Sequence, residues 1–398
     1  MANSFLTTSL ITKEILSVLK QKLTFLRKIN MEYKEEFAVN GAKIGDTVNI
    51  RVPTHGKVRQ GRIMDAGAMV DRTVPLTISD QTGVDLVWNS SDMALKIDDF
   101  RERYLDQRLA DMASGIESLV LSRALPYAAN FVANADGKLD IGDALLANKM
   151  LTDNLAPQKR FMVTNTSGTV QVVKSAQALF NSQPRVGDQY EDGIMVRASG
   201  FDWFETTNMP SQAYGGSAIP GTYDINGVVT DGSSSIPIDT GTGTILAGQH
   251  VTFAGVYAVN VATKVSTGVL QTFVVTSNFA GGTGNLQIAP AIQLAGPEQN
   301  VTALPADGAD VVVLGATGQT GVNLGFARDF LTFATVDLPL PANKDASRMV
   351  LDGLSIRMIR DYDTINDQFL NRVDVLWGSA VLRPEFGVVV PNDPTNFT

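Results

Sequence analysis

Two histidines, His55 and His250, 41 carboxylates and no cysteine are what this chain offers for catalysis or metal binding. Without cysteine, disulfides, thiolate metal ligands and thiol nucleophiles are excluded. A zinc site needs three or four convergent ligands, and neither histidine has a sequence neighbour of the right type, so both read as ordinary surface or core residues. The loop ANADGKLDIGD looks more promising for calcium: with Gly137 as the turn glycine, Asn134, Asp136, Asp140 and Asp143 take the third, fifth, ninth and twelfth places of a calcium loop. Val132 stands at the first ligand place, however, and Asp143 replaces the bidentate Glu, which weakens a cage that needs at least six oxygens. The expectation is a turn and a helix cap, Asp140 opening a helix with Ile141, Ala144, Leu145, Asn148 and Leu151 on one side. No Gly-x-Ser-x-Gly elbow is present, and the acid pairs Asp98-Asp99 and Glu35-Glu36 read as solvated charge. No catalytic residue, metal or cofactor is expected.

One further stretch invites a cofactor. In VVVLGATGQTGVNLGFARD, residues 311–329, an apolar strand runs into Gly315, Gly318 and Gly321, a spacing that resembles the nucleotide loop of the extended short-chain dehydrogenases. A dinucleotide-binding oxidoreductase would place a helix next, with its N-terminus on the pyrophosphate. Here FLTFATVDLPLP follows, broken by Pro339 and Pro341, and no strand–helix series remains to build a doubly wound sheet. A glycine-rich turn at a module boundary is the better reading.

The elements around these residues suggest extended pieces. Asp98–Leu125 is the longest helical pattern: Ile97, Phe100, Tyr104, Leu105, Leu109, Met112, Ile116, Leu119 and Val120 recur in steps of three and four, Asp98 or Asp99 caps it, and Pro126 stops it. At roughly 40 Å it reads as a beam with other elements laid across it. Ile11–Ile29 is an amphipathic helix in an arm where residues 1–60 carry ten Lys/Arg against five Asp/Glu; it docks on its own or a neighbouring subunit. Thr47–Val52 and Thr73–Ile78 alternate as strands and flank a polar, glycine-rich insert carrying Lys57, Arg59, Arg62, Asp65, Asp71 and Arg72, which reads as a long exposed hairpin.

Arg160–Thr164 reads as a strand, Gly168–Phe180 as a helix and Gly193–Glu205 as one or two strands, an α+β body. Composition then changes: residues 211–325 hold 19 of the 35 glycines but only seven charged residues. Short β segments, His250–Phe253, Gln271–Val275, Leu286–Ile288 and Val311–Leu314, are punctuated by NG, DG and GG turns, which predicts a small all-β, barrel-like module inserted into the body. After it come strands around Leu354–Arg360, Phe369–Trp377 and Gly387–Val390, expected to pair with strands before the insert. The net charge of -9 argues against a generic polyanion binder. The N-terminus lacks a signal-peptide pattern and no run is long enough to span a membrane, so a soluble, cytoplasmically made protein is expected.

Longer stretches carry a family resemblance. MANSFLTTSLITKEIL at the start, AGQHVTFAGVYAVNVATKVSTGVLQTFVV in the module, and VNLGFARDFLTFATVDLPLP, DGLSIRMIRDYD and RVDVLWG after it resemble the major capsid (coat) proteins of tailed bacteriophages, in the P22-like branch. The resemblance implies the HK97-type capsid fold with an inserted small all-β domain. Residues 1–30 would be the N-terminal arm, 45–80 an extended hairpin loop, 81–213 and 326–398 the discontinuous peripheral and axial domains with a spine helix at 98–125, and 214–325 the inserted β domain. It further implies a structural protein, not an enzyme, that self-assembles as pentamers and hexamers into an icosahedral head enclosing double-stranded DNA. Partners would be a scaffolding protein, a portal protein and DNA held without sequence-specific contacts, with assembly in the host cytoplasm and residence in the virion. Arg59, Arg62, Asp71 and Arg72 in the hairpin, and Asp231 and Asp239 in the module loop DGSSSIPIDTGTG, are the candidate inter-subunit contacts. A phage tail, decoration or adhesin protein with a β binding module is the alternative.

Overall fold

The apolar stripe of the first helix is buried on its own chain. In the computed structural model, which describes residues 7–32, 47–53, 62, 72–89, 101, 105–134, 136–176, 197–213, 223–315 and 319–397, Thr8–Lys22 is helical. Thr7 caps it by accepting from the Leu10 N–H, and Lys20 and Lys22 lie in the last turn, where the helix dipole favours cations. Ile11, Ile15, Val18 and Leu19 are fully buried against strands Asp345–Leu351 and Leu354–Asp363, each contributing about 1.5–3 kcal/mol. The Thr8 hydroxyl donates to Asp345, and the Thr12 hydroxyl donates to the Thr8 carbonyl at 2.7 Å and lies 3.6 Å from the Met358 sulfur. Of the two dockings the sequence left open, the structure shows the one on its own subunit. The helix also ends before the predicted Ile29, because Leu23 is extended at φ -75° and ψ 92°; a short 3-10 turn, Leu26–Lys28, follows. The buried Glu117 carboxylate accepts the Phe25 N–H at 2.7 Å and the Leu26 N–H at 3.4 Å.

The chain divides into two units, each assembled from three separate segments. The first comprises Met1–Ile50, Thr73–Val120 and Leu331–Ala380. Its sheet runs in the order Leu331–Val336, Gln368–Val381, Leu354–Asp363, Asp345–Leu351, and Asp80–Asn89 also pairs with Gln368–Val381. Antiparallel register sets Trp88 opposite Phe369 and Val373 opposite Val84. Trp377 is fully buried, stacks on Phe333 with ring centroids 5.5 Å apart, and donates its indole N–H to the Thr82 hydroxyl at 3.0 Å. Thr47–Val52 and Arg72–Thr77 pair as a two-stranded sheet, the root of the predicted hairpin; residues 54–61 and 63–71 lie outside the described residues.

The regular part of the predicted beam is Asp106–Ala124, about 28 Å long. Leu105, Leu109, Met112, Ile116 and Val120 are buried as the spacing requires, but Leu119 is exposed. Residues 98–100 and 102–104, with the expected caps Asp98 and Asp99, lie outside the described residues.

The second unit comprises Arg51–Arg72, Leu121–Phe330 and Val381–Thr398. It holds a mixed six-stranded sheet in the order Asn130–Phe131, Gly387–Asn392, Gly321–Ala327, Arg160–Thr164, Phe201–Glu205, Arg197–Ala198. Gly321–Ala327 is buried along its whole length, as a strand with neighbours on both edges and cover on its faces should be. It already belongs to this sheet, so the body resumes at Gly321, before the expected boundary at residue 326. Helices Ile141–Asp153 and Thr166–Ala176 pack in the same unit. The former buries Ala144, Ala147 and Leu151 and leaves Leu145 exposed, a correction to the face predicted for it. Buried amides join strand to helix: Asn323 and Asn165 donate to the Asn392 side-chain oxygen at 3.1 and 2.9 Å, and Asn392 donates to Gln171 at 3.0 Å.

The glycine-rich region forms a closed antiparallel barrel within this unit. Its six strands, in order around the barrel, are His250–Phe253, Phe273–Val275, Gly284–Ala289, Ser235–Asp239, Tyr223–Ile225 and Asp310–Val313. Strand alternation sends Tyr223, Ile225, Ile236, Ile238, Val251, Phe253, Phe273, Val275, Leu286 and Ile288 inward as one core. A separate hairpin pairs Tyr257–Val259 with Ser266–Leu270.

The expected cap at Asp140 is a reciprocal box. Asp140 accepts the Asp143 N–H at 2.7 Å, and the Asp143 carboxylate accepts the Asp140 N–H at 3.2 Å. Asn134 spends its amide on the Lys138 and Pro391 carbonyls as well as on Asp143, so the calcium-like loop is a hydrogen-bonded turn. Among the described residues no cluster of three or more His, Asp or Glu is placed to hold a metal. Burial, helped by the nearby Asp140, pushes Asp143 up to about 6. Because the folded value lies above the unfolded one of 3.8, the group's stabilisation is fully present below about pH 4 and is lost as pH rises through about 6. Asp143→Asn keeps an acceptor for both donors and carries no charge. It is expected to match the wild type in urea midpoint at pH 4 and to be more stable by about 1 kcal/mol at pH 7; a variant less stable at pH 7 would contradict this.

Candidate interaction site

The outer face of barrel strand His250–Phe253 is as buried as its inner face. Val251 and Phe253 point into the barrel core, whereas His250 and Thr252 belong to the opposite face, with 0% and 5% exposure. What covers His250 is the turn and short strand after the helix ending at Ala124. His250 donates its Nε2–H to the Ala128 carbonyl at 2.7 Å, and its ring lies 4.8 Å from the Phe131 ring. The acceptor is a carbonyl, so the proton sits on Nε2 in a neutral ring. The neighbouring Thr272 hydroxyl donates to the Ala129 carbonyl at 3.0 Å. The two chain crossings are tied as well: Gln212 donates to Ala247 O at 3.1 Å, and Gln249 to Ala213 O at 3.2 Å. Burial in this apolar seat pushes His250 down to about 4, only partly offset by its bond to the Ala128 carbonyl.

From sequence alone His250 reads as an ordinary surface or core residue. Its signal is the uncharged run His-Val-Thr-Phe, a strand buried on both faces like its neighbour Phe273–Val275 and unlike the alternating barrel strands Ser235–Asp239 and Gly284–Ala289. His55 lies outside the described residues. A cleft of about 570 Å³ also opens in this unit, lined among others by Arg72, Asn154, Pro290, Glu298 and Glu385. Arg72 lies 3.8 Å from Glu385, and Arg383 bonds Glu385 at 3.3 Å and also donates to the Pro53 carbonyl. The two ends of the hairpin arm, Pro53 and Arg72, are therefore anchored.

Four of the six candidate contact residues, Arg62, Arg72, Asp231 and Asp239, fall among the described residues. Arg59 and Asp71 lie outside the described residues, Arg62 is exposed, and Arg72 is the anchor just described. Asp231 accepts the Leu294 N–H at 2.7 Å, which makes it a turn-forming residue. Asp239 accepts from the Thr240 hydroxyl at 3.3 Å, and that hydroxyl also reaches Asp224 at 3.0 Å.

The glycine loop connects two strands. It leads from Asp310–Val313 of the barrel into Gly321–Ala327 of the body sheet, so no helix N-terminus follows on which a pyrophosphate could rest. Gln319 is buried and donates to Asn134 O at 2.8 Å. A Cβ on Gly321 would lie 2.2 Å from the Asn392 side-chain oxygen and 2.6 Å from the Asn165 nitrogen, so this glycine serves close packing.

Residues 214–391 match the family model described as P22 coat protein, gene protein 5. No curated protein matches the chain. Solved structures similar to it include one of Mycobacterium phage Che8, at 12% identity and a TM-score of 0.45, covering 92% of this chain and 90% of that one. The asymmetric unit of the bacteriophage PhiM1 mature capsid is similar at 11% identity and a TM-score of 0.40, covering 89% and 83%. The CUS-3 coat protein I-domain is 23% identical with a TM-score of 0.20, covering 24% of this chain and 98% of that domain.

Proposed function

We infer that this chain, whose residues 214–391 match the P22 coat protein family, is the major capsid protein of a tailed phage: a structural protein of the virion shell and not an enzyme. The observation that carries the reading is that match, which begins in the inserted barrel and continues through the body strands to Pro391. The physical design agrees with it. The polar, glycine-rich insert between the paired root strands Thr47–Val52 and Arg72–Thr77 has few apolar residues with which to build a core of its own, the kind of sequence whose burial is completed between copies. Many weak, repeated contacts then hold a closed shell. Copies assemble as pentamers and hexamers with a scaffolding protein around a portal in the host cytoplasm. The shell confines double-stranded DNA by geometry, without sequence-specific contacts.

Electron microscopy of the expressed protein, with and without a scaffolding protein, tests this directly. Closed icosahedral shells are expected; trimers, fibres or surface additions would point to a tail or adhesin protein instead. Charge reversal at Arg62 or Asp239, both side chains outside the folded cores, is expected to impair shell formation while the thermal unfolding of the monomer is unchanged. Normal shells from Arg62→Glu and Asp239→Lys would remove these residues from the contact surface.

A further inference from the structure

We propose that Asn226–Gly227 is a self-modifying dipeptide of the inserted barrel and that Asp307 is the guard that keeps it from converting to aspartate and isoaspartate. An Asn before Gly is chemically labile, because no Cβ hinders the glycine nitrogen from reaching the asparagine side chain. That nitrogen attacks the Asn226 Cγ. The new N–Cγ bond closes a five-membered imide, the Cγ–Nδ2 bond breaks, and ammonia leaves carrying the glycine's proton. Water then opens either carbonyl of the ring, giving aspartate or isoaspartate. Asn226 is exposed, Val228 next to Gly227 is 88% exposed, and a Cβ on Gly227, at φ +100°, would meet nothing within 4 Å, so water reaches the dipeptide.

What holds the reaction back is the engagement of the glycine N–H. The Gly227 N–H donates to Asp307 Oδ1 at 2.7 Å, while the Asn226 N–H donates to the Pro237 carbonyl at 3.0 Å. To attack, the Gly227 nitrogen must give up that bond and its proton, and a nitrogen losing its proton beside a carboxylate becomes an anion next to an anion. The two bonds also fix the backbone on both sides of Asn226, which keeps the peptide from turning into the approach that ring closure needs. The same device recurs at the other two dipeptides of this labile type in the barrel. Gly232, after Asp231, donates to the Ile292 carbonyl at 2.7 Å, and Gly308, after Asp307, to the Ile225 carbonyl at 2.8 Å. Those two acceptors are backbone; at Asn226 the acceptor is a side chain, which a single substitution removes. The damage prevented is specific. Isoaspartate lengthens the main chain by a methylene directly after Ile225, a core residue paired with Ile238, and adds a carboxylate two residues from Asp224, which already faces Asp239 across the strands.

Peptide mass mapping of the full-length unassembled chain, incubated folded at mildly alkaline pH, reads the conversion as the mass gained when the Asn226 amide becomes a carboxyl group. Asp307→Ala is expected to speed it by about three- to tenfold, the contribution of one net hydrogen bond. The Ile225 and Ile288 amides, bonded to Ala309 O and Ser234 O, should stay protected from hydrogen exchange in that variant, which shows that the barrel is still closed. Equal rates in the wild type and Asp307→Ala overturn the proposal, as does a folded wild type that converts as fast as the urea-unfolded chain. Should Asp307→Ala lose the protection of those two amides, the Gly227 amide of the wild type decides. Exchange slower than the intrinsic rate supports the guard, and exchange at the intrinsic rate overturns it.

Discussion

Asp374→Ala is expected to lower stability by about 3–5 kcal/mol, the cost of leaving a buried ion without its partner. The Asp374 side chain is 3% exposed. It receives Arg357 Nη2 at 2.7 Å on one oxygen and Arg372 Nε at 2.9 Å on both. Burial pushes its pKa up, but hydrogen bonds from Arg357 and Arg372 outweigh that, and the carboxylate is held below its usual range. Its contribution is therefore present above the unfolded value of 3.8 and lost as pH falls through the lower folded one. Most of the penalty falls on Arg357, 13% exposed, since Arg372 is 59% exposed and can rehydrate. The urea midpoint of the first unit should drop, and Asp374→Leu combined with Arg357→Met should recover most of the loss. A double variant no better than the single one would show that the carboxylate acts through something other than this pair.

Replacing residues 54–71 by a short Gly-Asn link is expected to abolish closed shells and leave the monomer folded. The root strands Thr47–Val52 and Arg72–Thr77 pair with each other, and Pro53 and Arg72 keep their anchors on Arg383 and Glu385. Stability of the monomer should thus change by less than about 1 kcal/mol, while particles seen by electron microscopy fall to background. Shells of normal size from this variant would mean that the arm is not a joint between copies.

Much of the architecture was legible because it is local. Thr47–Val52, Arg160–Thr164 and His250–Phe253 are strands with the bounds that alternation and turn residues set. The barrel announced itself through glycine and missing charge, and the Asp140 cap through a three-residue spacing. Less legible were elements whose burial is decided far along the chain. Asp80–Asn89 was not picked out as a strand, since its glycine and acids look like a loop; it is fixed by ten register pairs with Gln368–Val381. Asp345–Leu351 alternates poorly because it lies at the sheet's end, yet it carries the first helix. His250 belongs to the same class: only the cover brought by Ala128–Phe131 distinguishes it from a surface imidazole.

The docking of Thr8–Lys22 on strands more than three hundred residues away in sequence has a kinetic consequence. The Thr8–Asp345 contact spans 337 positions, so during synthesis the helix stands with its isoleucines and leucines uncovered until more than three hundred further residues have been added and its seat exists. Such non-local closure slows folding, and the interval of exposed apolar surface makes misassociation rise with concentration. Yield of this protein should therefore be governed by how crowded the nascent chains are, more than by the equilibrium stability of the finished one.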